Sequence, residues 1–261
     1  SSCFILAIND NIESIFDNVK NLALISKNGG GAGAYLSKIR AAGSSIRNIP
    51  NTSGGVLPWV KIINDTAVAV DQGGKRAGAI TVALDIWHLD ILDFLECQTE
   101  NGDLRKKSYD VFPQVVVQDY FFKVLEADGY WYLFDPHEIR TQFNIELADL
   151  IGEEFETAYE NLSTEADKGN VNLFKKVKAK DILKHIINTQ LESGLPYLFF
   201  KDTWNKYNPN KDTGIIYCTN LCIESASNFS PDNLIHVCNL VSINYANVTE
   251  ITSKNLDSVL V

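Results

Sequence analysis

Cys3-Phe4-Ile5-Leu6-Ala7-Ile8, followed at once by Asn9-Asp10, reads as a buried strand running into the start of a helix. Beyond it, Ile12, Ile15, Phe16, Val19, Leu22, Ala23 and Ile25 recur at helical spacing, which predicts a helix over residues 11–27 with one face turned inward. Asn9-Asp10 is expected to cap that helix, with Glu13 as the capping-box partner three residues past Asp10. Gly29-Gly30-Gly31-Ala32-Gly33 is expected to end the helix and open a loop.

The same alternation continues along the chain. Helices are predicted at 56–70, 90–97, 118–127, 144–162 and 171–193, and strands at 79–86, 112–117, 131–134, 195–200 and 235–243. A polar loop is expected to run from the 195–200 strand to Gly214, and residues 215–229 to carry a loop around Cys222. Strands alternating with helices imply an α/β fold, a mainly parallel sheet with helices outside it. With no internal repeat and no linker, residues 1–261 read as one domain.

Composition narrows the function classes. A formal charge of −10 repels phosphate polymers, so a nucleic-acid surface is not expected, although a few local cations suffice for a mononucleotide. No run approaches the roughly 18 to 20 apolar residues that cross a membrane. Five cysteines without a regular framework fit a cytoplasmic protein better than a secreted disulfide scaffold. The chain has no methionine and opens directly on a strand, and so reads as a piece of a longer polypeptide.

Several motifs admit two readings. The glycines at 29–33 lack the Gly-Lys-Ser/Thr ending of a phosphate loop and follow a helix rather than a strand, leaving either a plain turn or close backbone approach to a ligand. Arg40 and Arg47 are either a solvated face or a forked clamp for a triphosphate. Asp71-Gln72-Gly73-Gly74-Lys75-Arg76-Ala77-Gly78 is a glycine-rich helix-to-strand connection that can switch conformation. His88, in Trp87-His88-Leu89-Asp90, reads as a structural hydrogen-bond partner, and Cys97 as a small buried apolar residue. Cys218, Cys222, His236 and Cys238 offer four zinc-ligand types, but His-x-Cys on one strand is a poor chelating geometry, so no metal is expected.

Asn220-Leu221-Cys222-Ile223-Glu224 is the remaining motif, a thiol with an amide and a carboxylate two residues to either side. It resembles the thiyl-radical loop of the catalytic subunit of class I ribonucleotide reductase. Ser1-Ser2-Cys3, Asp71-Gln72-Gly73-Gly74, Trp87-His88-Leu89-Asp90 and Val237-Cys238-Asn239-Leu240 follow that family's order over nearly all of residues 1–245. Ser225 stands where the family prefers an apolar residue.

The resemblance implies a ten-stranded α/β barrel of two parallel five-stranded halves, with the Cys222 loop as a central finger. This chain would supply the first half, the loop and the start of the second half. The family's N-terminal ATP-binding domain, its phosphate-holding segment, its relay tyrosines and its C-terminal cysteine pair would lie outside it. Cys222 would be the radical site, Glu224 the general base, Asn220 the holder of a substrate hydroxyl, and Cys3 with Cys238 the electron-donating pair. Ser2, Gly30 and Gly31 would contact a ribonucleoside diphosphate. Asp10, Arg40, Arg47, Asp71, Gln72, Lys75 and Arg76 would bind or sense a dNTP or ATP effector. No cofactor would bind directly, because a small partner subunit would supply the radical, and thioredoxin or glutaredoxin would restore the thiols. A homodimer is expected. Two rival readings are a non-catalytic deoxynucleotide-binding module and a zinc-stabilised scaffold.

Overall fold

The computed structural model describes residues 3–70, 78–100, 103–229 and 235–240. The chain runs β1 (Cys3–Ala7), α1 (Ile12–Lys27), β2 (Gly31–Tyr35), α2 (Leu57–Ala69), β3 (Ile80–Asp85), α3 (Ile91–Leu95), β4 (Val111–Val117) and α4 (Asp119–Glu126). It continues with β5 (Tyr130–Phe134), α5 (Pro136–Phe143), α6 (Gly152–Asp167), β6 (Phe174–Lys178), α7 (Ala179–Ser193), β7 (Tyr197–Phe200), α8 (Lys201–Lys206) and β8 (His236–Cys238).

The main sheet has the order β7-β4-β3-β2-β1-β8. Its first five strands are parallel, and β8 lies antiparallel on the β1 edge. This is the mainly parallel α/β sheet that the alternating pattern predicts, and the half-barrel that the resemblance implies. Every residue of β2 and β3 is buried, as expected of parallel strands covered on both faces.

Five local expectations need correction. The cap of α1 is Asn11, whose Oδ1 accepts from Ser14 N at 2.7 Å, and not Asp10, whose carboxylate is drawn onto arginines. The glycine run does not open a loop: Gly29 ends α1 at φ +75°, and Gly31 already begins β2. No helix starts at 144, because Asn144 takes a left-handed conformation (φ +55°) that closes α5, and α6 begins only at Gly152. Finally, residues 174–178 form strand β6 instead of the first turns of a helix, and residues 201–206 are helical rather than loop.

β6 owes its conformation to its partner. Phe-Lys-Lys-Val-Lys pairs antiparallel with the aromatic strand β5, setting Lys176 over the rings of Tyr130 and Tyr132 and Lys178 over Tyr130. Beneath that pair, Trp131 stacks on Tyr159 with ring centroids 4.2 Å apart. The Tyr159 hydroxyl accepts from Tyr132 N at 2.6 Å and donates to Tyr132 O at 2.8 Å. Tyr159→Phe should therefore destabilise the protein by about 1–3 kcal/mol, since it strands two buried backbone groups. The midpoint of urea denaturation checks this, and an unchanged midpoint would show the hydroxyl to be idle.

Candidate active site

Residues 217–221 cross the sheet in the direction opposite to β2. The Tyr217 ring lies 5.1 Å from that of Tyr35. A Cβ at Gly33 would sit 2.1 Å from Thr219 O, and one at Gly31 would sit 2.4 Å from Leu221 Cδ2. Contacts thus step by two on both segments, 35 with 217, 33 with 219 and 31 with 221. Only glycine admits the Thr219 main chain at 33 and the Leu221 side chain at 31 this close, which is why a Gly-x-Gly strand lies here. The path delivers Cys222 to the end of the sheet where β1 begins with Cys3.

Cys3 and Cys238 are directly opposite in the β1–β8 register. Cα atoms so placed in antiparallel strands stand about 4.5–5.5 Å apart, inside the roughly 4.4–6.8 Å window of a disulfide. Both thiols are free here. The Cys3 thiol points at Glu224 Oε1 at 3.9 Å, and Asn220 Nδ2 donates to the same oxygen at 2.7 Å. Asn220 Oδ1 accepts from Ser225 N at 3.1 Å, while Asn220 N donates to Ser225 O at 3.0 Å. The turn so closed holds Ile223 at φ +57°, a conformation β-branched residues rarely adopt.

Burial pushes the Cys3 thiol above its ordinary range, and nearby Glu224, Cys222 and Cys238 add to the effect against a hydrogen bond from Asn220. The exposed Cys222 thiol is raised by partial burial and then by the Glu224 charge. Both sulfurs therefore keep their hydrogens at neutral pH, as suits hydrogen-atom chemistry better than nucleophilic attack. Cys218 is fully buried while Cys222 is exposed, so Cys-x3-Cys does not form a chelating knuckle. Cys97 is buried in the core, its thiol pushed up to about 12 by desolvation.

A second site lies beside α1, where a cleft of about 450 Å³ is lined by Asp10, Arg40, Arg47, Gly54, Gly55 and Trp59 among others. Arg40 Nε reaches both Asp10 oxygens, at 3.1 and 2.9 Å. Arg140 Nη2 lies 3.2 Å, and His137 Nδ1 3.7 Å, from Asp10 Oδ2. Burial, and then the Arg40 charge, lowers the His137 pKa. Arg140 and His137 escaped the sequence reading, since nothing in Asp135-Pro136-His137 marks its approach to a residue some 130 positions earlier. The fully buried His88 bonds Ile39 O through Nε2 (2.8 Å) and accepts from Asp90 N. Asp90 in turn accepts from Ala42 N and Val56 N, tying down two segments next to the cleft. Ser2, Asp71, Gln72, Lys75 and Arg76 lie outside the described residues.

Residues 1–260 match the family described as ribonucleotide reductase, barrel domain. The chain belongs to the ribonucleotide reductase family. It is 52% identical, over its whole length, to the ribonucleoside-diphosphate reductase subunit alpha of Synechocystis sp., of which it covers 35%. Identity is 42% over 91% of the chain to the subunit alpha of Treponema pallidum, with 28% of that protein covered. The large subunit of Caenorhabditis elegans is 38% identical over the whole chain, with 34% covered. The chain thus spans about a third of the length of these reductases. Among the described residues, no helix of this reductase barrel is long and apolar enough to cross a membrane.

Proposed function

We propose that this chain is the reducing core of a ribonucleotide reductase catalytic subunit acting on ribonucleoside diphosphates in the cytoplasm. The observation carrying the proposal is the meeting of Cys222, Glu224 and Asn220 with the Cys3–Cys238 pair at one end of the sheet.

The chemistry follows from the groups present. A small partner subunit removes the hydrogen atom from the Cys222 thiol. The sulfur then takes the 3′ hydrogen of the ribose, while Glu224 accepts the 3′-hydroxyl proton. The 2′ hydroxyl leaves as water with a proton from the Cys3–Cys238 pair. That pair delivers two electrons and its second proton to C2′ and ends as a disulfide, Cys222 returns its hydrogen to C3′, and Glu224 returns its proton to the 3′ oxygen. Asn220 orients a substrate hydroxyl and Glu224 together, with Ser2, Gly30 and Gly31 as further substrate contacts. Thioredoxin or glutaredoxin then reduces the disulfide.

The Asp10 cleft suits a dNTP or ATP effector. Arg40, Arg47 and Arg140 face the phosphates, Asp10 takes the ribose, and Asp71, Gln72, Lys75 and Arg76 sense the base. Exposed Ile12 and Phe16 of α1, the latter edge-on to Trp59, support a homodimer formed beside this cleft.

The deciding experiment is a single turnover of the reduced complete protein with its radical-generating subunit, a ribonucleoside diphosphate and no external reductant. Deoxynucleotide should form together with a Cys3–Cys238 cross-linked peptide. Absence of product, or product with both thiols still free, would overturn the reading. Arg40→Ala should weaken dNTP binding by roughly tenfold or more, the scale of a lost charge-assisted hydrogen bond. Calorimetric titration measures it, and unchanged affinity would place the effector elsewhere.

A further inference from the structure

We infer that Thr81 of β3 and Gln114 of β4 are positioning residues that set where the Cys222 sulfur sits. Resting on the function proposed above, this identifies the part of the sheet that aims the radical site. The side-chain hydrogen bonds of both residues go to the segment before Cys222 and not to a thiol. Both are fully buried and reach the main chain of the segment leading to Cys222.

Gln114 makes a two-point contact with one residue. Its Nε2 donates to Thr219 Oγ1 at 2.7 Å, and its Oε1 accepts from Thr219 N at 3.3 Å. The Thr219 hydroxyl passes its own hydrogen to Asn220 O at 3.0 Å. Two residues further on, Thr81 Oγ1 donates to Leu221 O at 2.9 Å, next to Cys222. With Gly33 admitting Thr219 O against β2, three adjacent strands hold residues 219–221 from below. Beyond Cys222 the segment is held separately, Ser225 Oγ and Ser227 Oγ both bonding the His236 ring on β8. The turn carrying Cys222 is therefore stretched between a sheet-side anchor and a strand-side anchor.

A reacting sulfur must meet one hydrogen of a sugar, and a misplacement of about 1 Å costs on the order of 100-fold in rate. A rigid sheet sets such a position better than the loop can by itself. Losing the Thr81 hydroxyl leaves Leu221 O without that donor and frees the turn to move outward, relieving the partial burial that, ahead of the Glu224 charge, keeps the proton on Cys222.

The test compares Thr81→Val, which has nearly the shape of threonine, with Thr81→Ser, which keeps the hydroxyl, and adds Gln114→Leu, all in the complete enzyme. Thr81→Val and Gln114→Leu should lower kcat about 10- to 100-fold with KM unchanged. Iodoacetamide labelling of the Cys222 peptide, followed by mass spectrometry, should speed up several-fold in both, as the thiol becomes freer and more ionised. Thr81→Ser should restore both values. Calorimetric dNTP binding at the distant Asp10 cleft confirms that each variant is folded. Wild-type kcat and wild-type labelling in Thr81→Val and Gln114→Leu would overturn the inference. Labelling needs no turnover, so it decides the anchoring even if Cys222→Ser keeps activity and the proposed function fails.

Discussion

Replacing Cys222 with serine in the complete enzyme is expected to lower deoxynucleotide formation at least about 10³-fold, the scale on which loss of a covalently acting residue is felt. The replacement is nearly isosteric on an exposed turn, so neither folding nor effector binding should change. What changes is the bond that must give up a hydrogen atom. The S–H bond is close in strength to the ribose C–H bond, so the atom passes in either direction. The serine O–H bond is much stronger and does not yield its hydrogen to the same radical source. A role for Cys222 in binding alone predicts a different pattern, with KM raised and kcat kept. Undiminished product from the serine variant would rule out the radical role and leave the chain as a nucleotide-binding module. The Cys3–Cys238 pair supplies an internal control. With Cys222 replaced, the two thiols should stay reduced when nucleotide and partner subunit are added without reductant, because nothing draws on their electrons.

How much of this was legible beforehand varies with the physical range of the signal. The parallel α/β half-sheet was legible because each strand–helix unit is written locally, in apolar runs and helical spacing. Asp10, Arg40 and Arg47 were legible as a set through the resemblance, and the cleft does bring them together. The glycines at 31 and 33 were misread because glycine statistics favour turns, whereas these two answer to Leu221 and Thr219 of a segment some 190 residues later. Phe174–Lys178 was misread because three lysines in five residues look like a solvated helix, and only the aromatic face of β5 turns them into a strand. Ser225 had stood out only as a departure from the family pattern. The structure gives it a partner in His236, whose pKa burial lowers while Glu224 opposes that shift. A polar residue at that place is matched by a ring that uses it.

The second large effect is expected at Lys201, beneath the base of the Cys222 segment. Its ammonium is fully buried, donates to Ala148 O, stands 4.0 Å from Asp85 Oδ1 and lies over the rings of Tyr217 and Tyr35. Asp85, also fully buried, takes the Tyr35 hydroxyl and the Gln118 side-chain amide, so its charge is shared among two donors and one cation. The Tyr35 phenol is held well above its ordinary pKa by burial and then by the Asp85 charge, which keeps it a donor. Lys201→Met keeps the apolar stem but leaves a buried carboxylate without its cation, an imbalance that costs about 3–5 kcal/mol. Urea denaturation followed by tryptophan fluorescence measures it. Asp85→Asn introduced beside Lys201→Met should recover most of the loss, because the amide still accepts from Tyr35 and carries no charge to strand. Tyr217 packs on Tyr35 directly above this pair, so the single variant should also speed labelling of Cys222, and the double variant should slow it again. A Lys201→Met cost below about 1 kcal/mol, or a double variant no better than the single, would show that the pair is not what the segment stands on.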